Sequence, residues 1–458
     1  MKIHTKKIIA LSLAATFVNT AVASQYNMSL HNDKTTAING ALTSEQAANV
    51  EKIWDIEEKE VTKISEGIYR ISGWGIGNII AVEGKTGWII VDTGDSLEMA
   101  LEQRAALEEK VGKINVEAVL YTHSHYVWGA KAWQDEETTF YAHEDMMDNL
   151  SADVGVNVIS GNFGTRAMVQ FGMLHPAKGE DAFPNKLGFG MDKLEGTKAL
   201  VPPSVTFEDD IVETHTIAGI EVEVLPSKTD VTDSVAYHFV DKKLLVSNAL
   251  NSGSMFNLYT LRGDWYRDPM VLVEAADLAL SRDIDIQVDI HGVAHTTSEA
   301  VTESLQEFRD QMQVIHDQTY RAIALGMDAQ DAAEFVYMPM DLRKDKETYG
   351  QVESHVKRVY NARIGWMGWD VYDINPMAKN DFSEQLIKSL GGMEKVLSDA
   401  QESADKNTIE GSQWALYLTS QALQKDPTQQ DAKMIRAQAS RELGQRTSSA
   451  NARGFYIS

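Results

Sequence analysis

Apolar residues come in short runs up to residue 327 and at helical spacing after it. In the first part, 67–71, 78–82 and 88–91 read as strands. The turn-rich Glu83-Gly84-Lys85-Thr86-Gly87 between the last two predicts a hairpin. Residues 96–111 carry the period and the residue types of a helix, and 116–121 is the next strand. Strands return at 206–207, 215–217, 220–225, 234–240 and 243–246, with Asp241-Lys242 as a hairpin turn. Helices are expected at 268–281 and 297–325, around a strand at 283–290. Between these blocks, 152–204 is rich in Gly, Asn and Pro and lacks a period, which reads as a lid or binding loop. From residue 328 the pattern is helical at 350–369, 381–390, 391–405, 408–425 and 430–444. Asp426-Pro427 stops the fourth of these, so the last two form an antiparallel pair, tetratricopeptide-like or an ordinary α-hairpin. The fold class is α/β, two sheets flanked by helices, with an all-α unit behind it.

Lys2, Lys6 and Lys7 precede an apolar run at 8–18 and the small residues Ala21-Val22-Ala23, the pattern of a cleavable export signal over 1–23. The run is shorter than the roughly 20 residues that cross a bilayer, so no membrane partner is expected. The mature chain is then periplasmic or secreted. A polar arm, ordered or a tether, fills 24–60, the layered domain 61–327 and the helical domain 328–458. The 458 residues include no cysteine, so core burial replaces disulfides, and any zinc must be held by His, Asp or Glu. A net charge of −25 argues against nucleic acid as a partner, but an anionic small molecule can still sit in a locally basic pocket.

The candidate chemistry gathers at strand ends. His123 and His125 stand one residue apart in a loop closing the 116–121 strand, where two imidazoles can reach one cation. Alone, His-x-His is a weak signal. The preceding strand, Thr122 and the acidic turn Asp92-Thr93-Gly94 strengthen it. His291 follows another apolar strand and could close the site, with His295 a weaker candidate. Asp230 and Asp233 could each offer a carboxylate or serve as loop residues. Arg262 carries a planar fork suited to sulfate, phosphate or carboxylate.

The string Asn257-Leu258-Tyr259-Thr260-Leu261-Arg262-Gly263 resembles the zinc alkylsulfatases of the metallo-β-lactamase superfamily. So do Gly87-Trp88-Ile89-Ile90-Val91-Asp92, Thr122-His123-Ser124-His125, Val359-Tyr360-Asn361-Ala362-Arg363-Ile364-Gly365-Trp366 and Asn451-Ala452-Arg453-Gly454-Phe455-Tyr456. The resemblance runs from about residue 50 to the end. It implies a metallo-β-lactamase-like αββα sandwich followed by an all-α dimerisation domain, hence a homodimer, acting on a small anionic ester. An aspartate at position 92 would brace the metal loop. Arg262 would stabilise the sulfate oxygens, Asn257 would help bind substrate, and Lys178 in Pro176-Ala177-Lys178-Gly179 would replace a basic sulfate contact. The departures fall on the metals. Val127 and Trp128 stand where the family has Asp and His, and no carboxylate occupies 248 or 249. The resemblance therefore implies one zinc at most, held by His123, His125, His291 and Asp233.

Three readings follow: a periplasmic alkylsulfatase-like hydrolase with at most one metal; a degenerate binding or regulatory protein on the same scaffold; or a metal-independent enzyme in which Tyr126 or a histidine moves the proton.

Overall fold

The computed structural model describes residues 29–48, 58–151, 160–184, 195–250, 253–292, 294–343 and 346–458. The export signal expected at 1–23 lies outside them, as do residues 152–159 and 185–194 of the expected 152–204 loop.

Alternation of side chains along the strands builds the layers. Ile80 and Val82 of the strand Ile79–Glu83 face a second sheet, while Ile79 and Ala81 face the helix Leu97–Val111. Val119 and its neighbours Ala118 and Leu120 divide in the same way. Seven strands pair in chain order in the first sheet, from Glu60–Ser65 to Val205–Phe207. The first four, ending at Trp88–Val91, pair antiparallel; from there the sheet runs parallel through Val116–Leu120 and Thr139–His143. The second sheet has six strands, Glu213–Ile217 to Ala294–His295, with one parallel pair, Leu244–Ser247 beside Ile286–Asp289. The inner faces of the two sheets share one apolar core that includes Val91, Leu120, Val224, Tyr237, Val246 and Val288. Helices Pro269–Leu280 and Ser298–Ala324 cover the far side of the second sheet. This is the αββα sandwich the sequence led us to expect.

Ser96 and Thr297 cap their helices by accepting from the amides of Met99 and Ala300, and Asp268 accepts from Met270 with Pro269 in the first turn. The all-α part follows. Met393–Ala404, Ile409–Lys425 and Gln430–Gly444 pack around Val396, Leu418 and Ile435. Packing does not break at residue 327, however: Val336, Val352 and Val359 belong to the same cluster as Leu272 and Leu305.

Three local expectations change. The 152–204 stretch contains a helix, Ser160–Gln170. Its glycines hid it from pattern reading, and tertiary contacts hold it. Arg166 donates to the carbonyls of Leu261 and Arg262, and Gln170 accepts from the amide of Arg262. The helix expected over 350–369 is Val352–Arg363, closed where Gly365 turns to φ 95°. In the 24–60 arm, the described part is ordered. His31 N–H donates to the Arg446 carbonyl, Ser448 N–H to Ser29, and buried Arg453 donates to Leu42, Gly444, Glu180 and Ala182.

Gly129 closes the histidine loop against the first helix. A Cβ there would lie 2.1 Å from the Thr93 carbonyl oxygen and 2.4 Å from Ala100 Cβ. Gly129→Ala is expected to destabilise the fold by about 2 kcal/mol, seen as a lower urea midpoint at unchanged slope; an unchanged midpoint would contradict this packing.

Candidate metal centre and its cavity

The loop from Thr122 to Trp128 is held on both sides. The Asp92 carboxylate, fully buried, accepts from Thr122 N–H at 2.8 Å and Thr122 Oγ1 at 2.7 Å. Thr93 donates to the Tyr126 carbonyl through its amide and its hydroxyl, Trp128 N–H donates to Gly94, and Val235 N–H of the second sheet donates to Thr122. Asp92 thus braces the loop without entering it, as the family resemblance implied.

That brace sets a tautomer. When Asp92 is ionised, Thr122 gives its one hydroxyl hydrogen to Asp92 Oδ2 and so accepts from His123 Nδ1, 2.9 Å away. His123 therefore carries its hydrogen on Nδ1 and turns the Nε2 lone pair inward. Nε2 is buried and has no hydrogen-bond partner among the described residues. Burial holds this imidazole well below its ordinary pKa despite Asp230, so it is neutral.

The carboxylate brought to the histidines is Asp230. Its Oδ2 lies 3.2 Å from His125 Nδ1 and 3.8 Å from His123 Nε2, while Oδ1 accepts from Asn248 at 2.7 Å. Burial pushes the Asp230 pKa up, but the hydrogen bond and charge of His125, with Arg267 beyond it, outweigh burial and hold the carboxyl well below its usual range. His125 shows the reciprocal effect: burial lowers its pKa, and the hydrogen bond and charge of Asp230 raise it further than that. One ligand atom from each of His123, His125 and Asp230 lies within 4.8 Å of the other two. A tetrahedral cation with bonds of about 2.0–2.1 Å needs ligand atoms roughly 3.3 Å apart, so the set fits one divalent ion after small adjustments.

Two expected ligands do not join it. Asp233 turns aside, its Oδ1 accepting from Ser124 Oγ at 3.2 Å and Asn149 Nδ2 at 2.7 Å. His291 lines the same cavity but meets Tyr126, whose hydroxyl is 3.3 Å from His291 Nε2. The Tyr126 ring lies edge-on to both His123 and His291, at 5.3 and 5.2 Å between centroids. Gly77 makes room for it, since a Cβ there would fall 2.8 Å from the ring. Burial, then Asp95 and Asp230, raises the Tyr126 phenol well above 10, so it is a proton donor and not a base. Val127 is buried in the apolar core, and Ala249 adds only a methyl group to the cavity wall. No second set of donors exists there among the described residues. A separate group, His143, Asp145 and Asp209, is spent on local bonds, with Asp209 paired to Lys228 at 2.8 Å.

The cavity beside His125 and Asp230 has a volume of about 290 Å³. One wall is apolar: Ile76, Trp128, Phe171, Met255 and Phe256. The other is basic. Arg262 pairs with Asp264 at 3.1 Å, stacks over Phe163 at 4.6 Å, and keeps Nε without a partner among the described residues. Arg267 shares Asp264 and donates to the carbonyls of Asn257 and Asp230. Lys198 reaches in from the opposite side, 5.5 Å above the Trp128 ring, and donates to the Asp95 carbonyl. Sequence reasoning missed Lys198 and Arg267, which sit in segments without a motif. It misplaced Lys178, which is exposed at the surface: its neighbour Gly179 donates to Asn39 of the N-terminal arm, and Arg453 binds the Glu180 carbonyl. Asn257 is buried and lines the cavity, its Oδ1 3.2 Å from His355 Nε2 and its Nδ2 without a partner among the described residues.

Residues 72–248 match the metallo-beta-lactamase superfamily model, and residues 328–458 match the alkyl sulfatase dimerisation model. A linear primary-alkylsulfatase of Pseudomonas sp. is 30% identical over 389 residues, covering 82% of this chain and 72% of that protein. This chain belongs to the alkylsulfatase family. An alkyl/aryl-sulfatase of Saccharomyces cerevisiae is 28% identical over 413 residues, covering 86% of this chain but only 62% of its own length. The solved structure of a stereoselective inverting sec-alkylsulfatase from Pseudomonas sp. superposes with a TM-score of 0.80 at 22% identity, over 93% of this chain and 68% of that one, and confirms the fold. Within the alkylsulfatase frame, the structure gathers His123, His125 and Asp230 as a candidate set of metal donors.

The Asn257–His355 pair gives the site a pH signature. Burial, and then Arg267, lowers His355 to about 3. A histidine depressed in the folded state stabilises fully above the unfolded value near 6.5, and that stability is lost as pH falls toward the folded value. Between pH 7 and 5 the protein should lose about 2 kcal/mol more than His355→Gln does, measured by urea unfolding; equal losses would refute it.

Proposed function

We propose that this chain is a metal-assisted hydrolase of alkyl sulfate esters, working with one zinc ion held by His123, His125 and Asp230. The single observation that carries this reading is the ligand-ready triad, opening onto a cavity with one basic and one apolar wall. When bound there, a divalent cation supplies Lewis-acid polarisation and makes water acidic enough to ionise near neutral pH.

The chain's own residues do the rest. Arg262 and Lys198 face the anionic head, each with donors left for sulfate oxygens, and the Asn257 amide adds a neutral one. Ile76, Phe171, Met255 and Phe256 hold the alkyl part and exclude water from the ester. The Tyr126 phenol, positioned by His291, holds a proton beside the site and can donate it to a departing oxygen. The degenerate-binder reading is not favoured, because the donor set is complete. The match to the dimerisation model supports a homodimer, and the lysine-rich apolar start supports a periplasmic or secreted protein.

Protein purified without chelator should contain about one zinc per chain by elemental analysis. Asp230→Asn and His125→Ala should lose it and Asp233→Asn should keep it; two ions per chain, or retention in Asp230→Asn, would defeat this site.

Arg262→Leu and Lys198→Met should each raise the KM for an alkyl sulfate about tenfold to a hundredfold, the worth of one charge-assisted hydrogen bond. Binding of the matching uncharged alcohol should change little. Equal loss for both ligands would show that the two cations shape the cavity instead of reading the charge.

A further inference from the structure

Arg262 stands on a stretch without secondary structure of its own. Between Ser247 and Pro269 the described residues form neither helix nor strand. A guanidinium on such a loop reads an anion well only if its backbone is held, because a displacement of about 1 Å can cost roughly a hundredfold. The loop holds itself at one point, where Gly263 N–H donates to the Thr260 carbonyl at 2.9 Å.

The rest of the support comes from one helix, Ser160–Gln170. The buried Gln170 accepts from the Arg262 amide at 2.8 Å. Arg166 Nε donates to the Arg262 carbonyl at 2.7 Å, and its Nη2 donates to the carbonyl of Leu261. The Arg262 guanidinium lies 4.6 Å from the Phe163 ring. Residues 163, 166 and 170 follow one another at three and four positions, so a single helix face meets the amide, the carbonyl and the side chain of Arg262.

That helix is seated in turn on the last one, Ala450–Ile457. A Cβ on Gly454 would lie 2.4 Å from the Val169 carbonyl oxygen and 2.6 Å from that of Gln170, so the two backbones touch. The Arg166 guanidinium is 5.4 Å from the Phe455 ring. The seat is fixed from its other side, where buried Arg453 donates to the carbonyls of Leu42, Gly444, Glu180 and Ala182.

We infer that Arg166 is a positioning residue for Arg262: seated on the terminal helix, it fixes the loop from which Arg262 meets the anionic head of the substrate. The inference rests on the reading of Arg262 as an anion contact. An arginine that only braced the fold would matter equally whatever side chain stood at 262. One that positions Arg262 matters only while Arg262 is there, and a double-mutant cycle separates the two.

The cycle is run by calorimetry on the full-length protein with octane-1-sulfonate. Its C–S bond is not an ester, and its tail keeps binding measurable when the anion contact is lost. Arg262→Leu and Arg166→Leu should each weaken binding at least tenfold, and the double variant should bind within about twofold of Arg262→Leu alone. Arg166→Lys should lose less than Arg166→Leu, since its ammonium keeps the charge and one carbonyl contact. Gly454→Ala, which pushes the helix off its seat, should weaken binding in the wild-type background and not in Arg262→Leu; it carries the cycle if Arg166→Leu does not fold. Binding of 1-octanol should change little in every variant. Losses that multiply in the double variant, or an Arg166→Leu protein that binds like wild type, would overturn this inference and leave Arg262 its role. Wild-type binding that is absent, or indifferent to Arg262→Leu, would overturn both.

Discussion

Everything in the site hangs on one short chain of hydrogen bonds, from Asp92 through Thr122 to His123. Ionised, Asp92 takes the only hydrogen of the Thr122 hydroxyl, the hydroxyl must then accept from His123 Nδ1, and Nε2 is left bare in the interior. A buried, unpaired imidazole nitrogen costs about 1–3 kcal/mol. The cost is imposed by the sandwich itself, because Asp92 ends one parallel strand and Thr122 follows the next. The same carboxyl sits in so apolar a place that burial lifts it to about 7, although both its bonds to Thr122 oppose the lift. The fold therefore spends stability to hold one lone pair in one direction, and second-sheet elements bring Asp230 to meet it.

Positions 127 and 128, which the resemblance assigns to a second metal, carry side chains with other roles. Val127 is packed into the first sheet's outer core, and Trp128 presents its ring to the cavity. Over that ring lies the Lys198 ammonium. A fixed cation over an aromatic face keeps positive charge near the anionic head without any metal ligand. Tyr126 and His291 bond to each other across the remaining gap, so a histidine that the sequence offered as a ligand becomes the partner of a phenol. The pocket thus sets a candidate cation site beside a cation built from the chain.

How much of this could be read from the sequence varied with the kind of information needed. The layers were legible because 78–82 and 88–91 are near-continuous apolar runs, as strands buried on both faces require. The helix at 160–170 was not, because Gly161 and Gly164 weaken its propensity and its support comes from Arg262, nearly a hundred residues away. Within the site, His123, His125 and Arg262 announced themselves through a motif. The choice between Asp230 and Asp233 did not, since three residues on a loop decide which carboxylate points inward and only Asn149 and Ser124 show why Asp233 points away. Lys178 was a basic residue in a plausible string, but the N-terminal arm and Arg453 hold its segment at the surface.

Enzyme and degenerate binder make opposite demands on a buried donor set. A protein that only bound an anion would gain by satisfying or removing His123 Nε2 and by pairing Asp230 with a permanent cation, as unpaired buried polar groups are expensive. The adjacent positions 127 and 128 show that hydrocarbon and indole can fill this interior. Arg267 comes close enough to Asp230 to bind its backbone carbonyl, yet the Asp230 carboxylate faces the two imidazoles. The fold thus gathers His123, His125 and Asp230 at a cost in unsatisfied polar groups, which a divalent cation would offset. In the alkylsulfatase fold, with a basic wall on one side and an apolar wall on the other, that donor set favours the hydrolase over the binder.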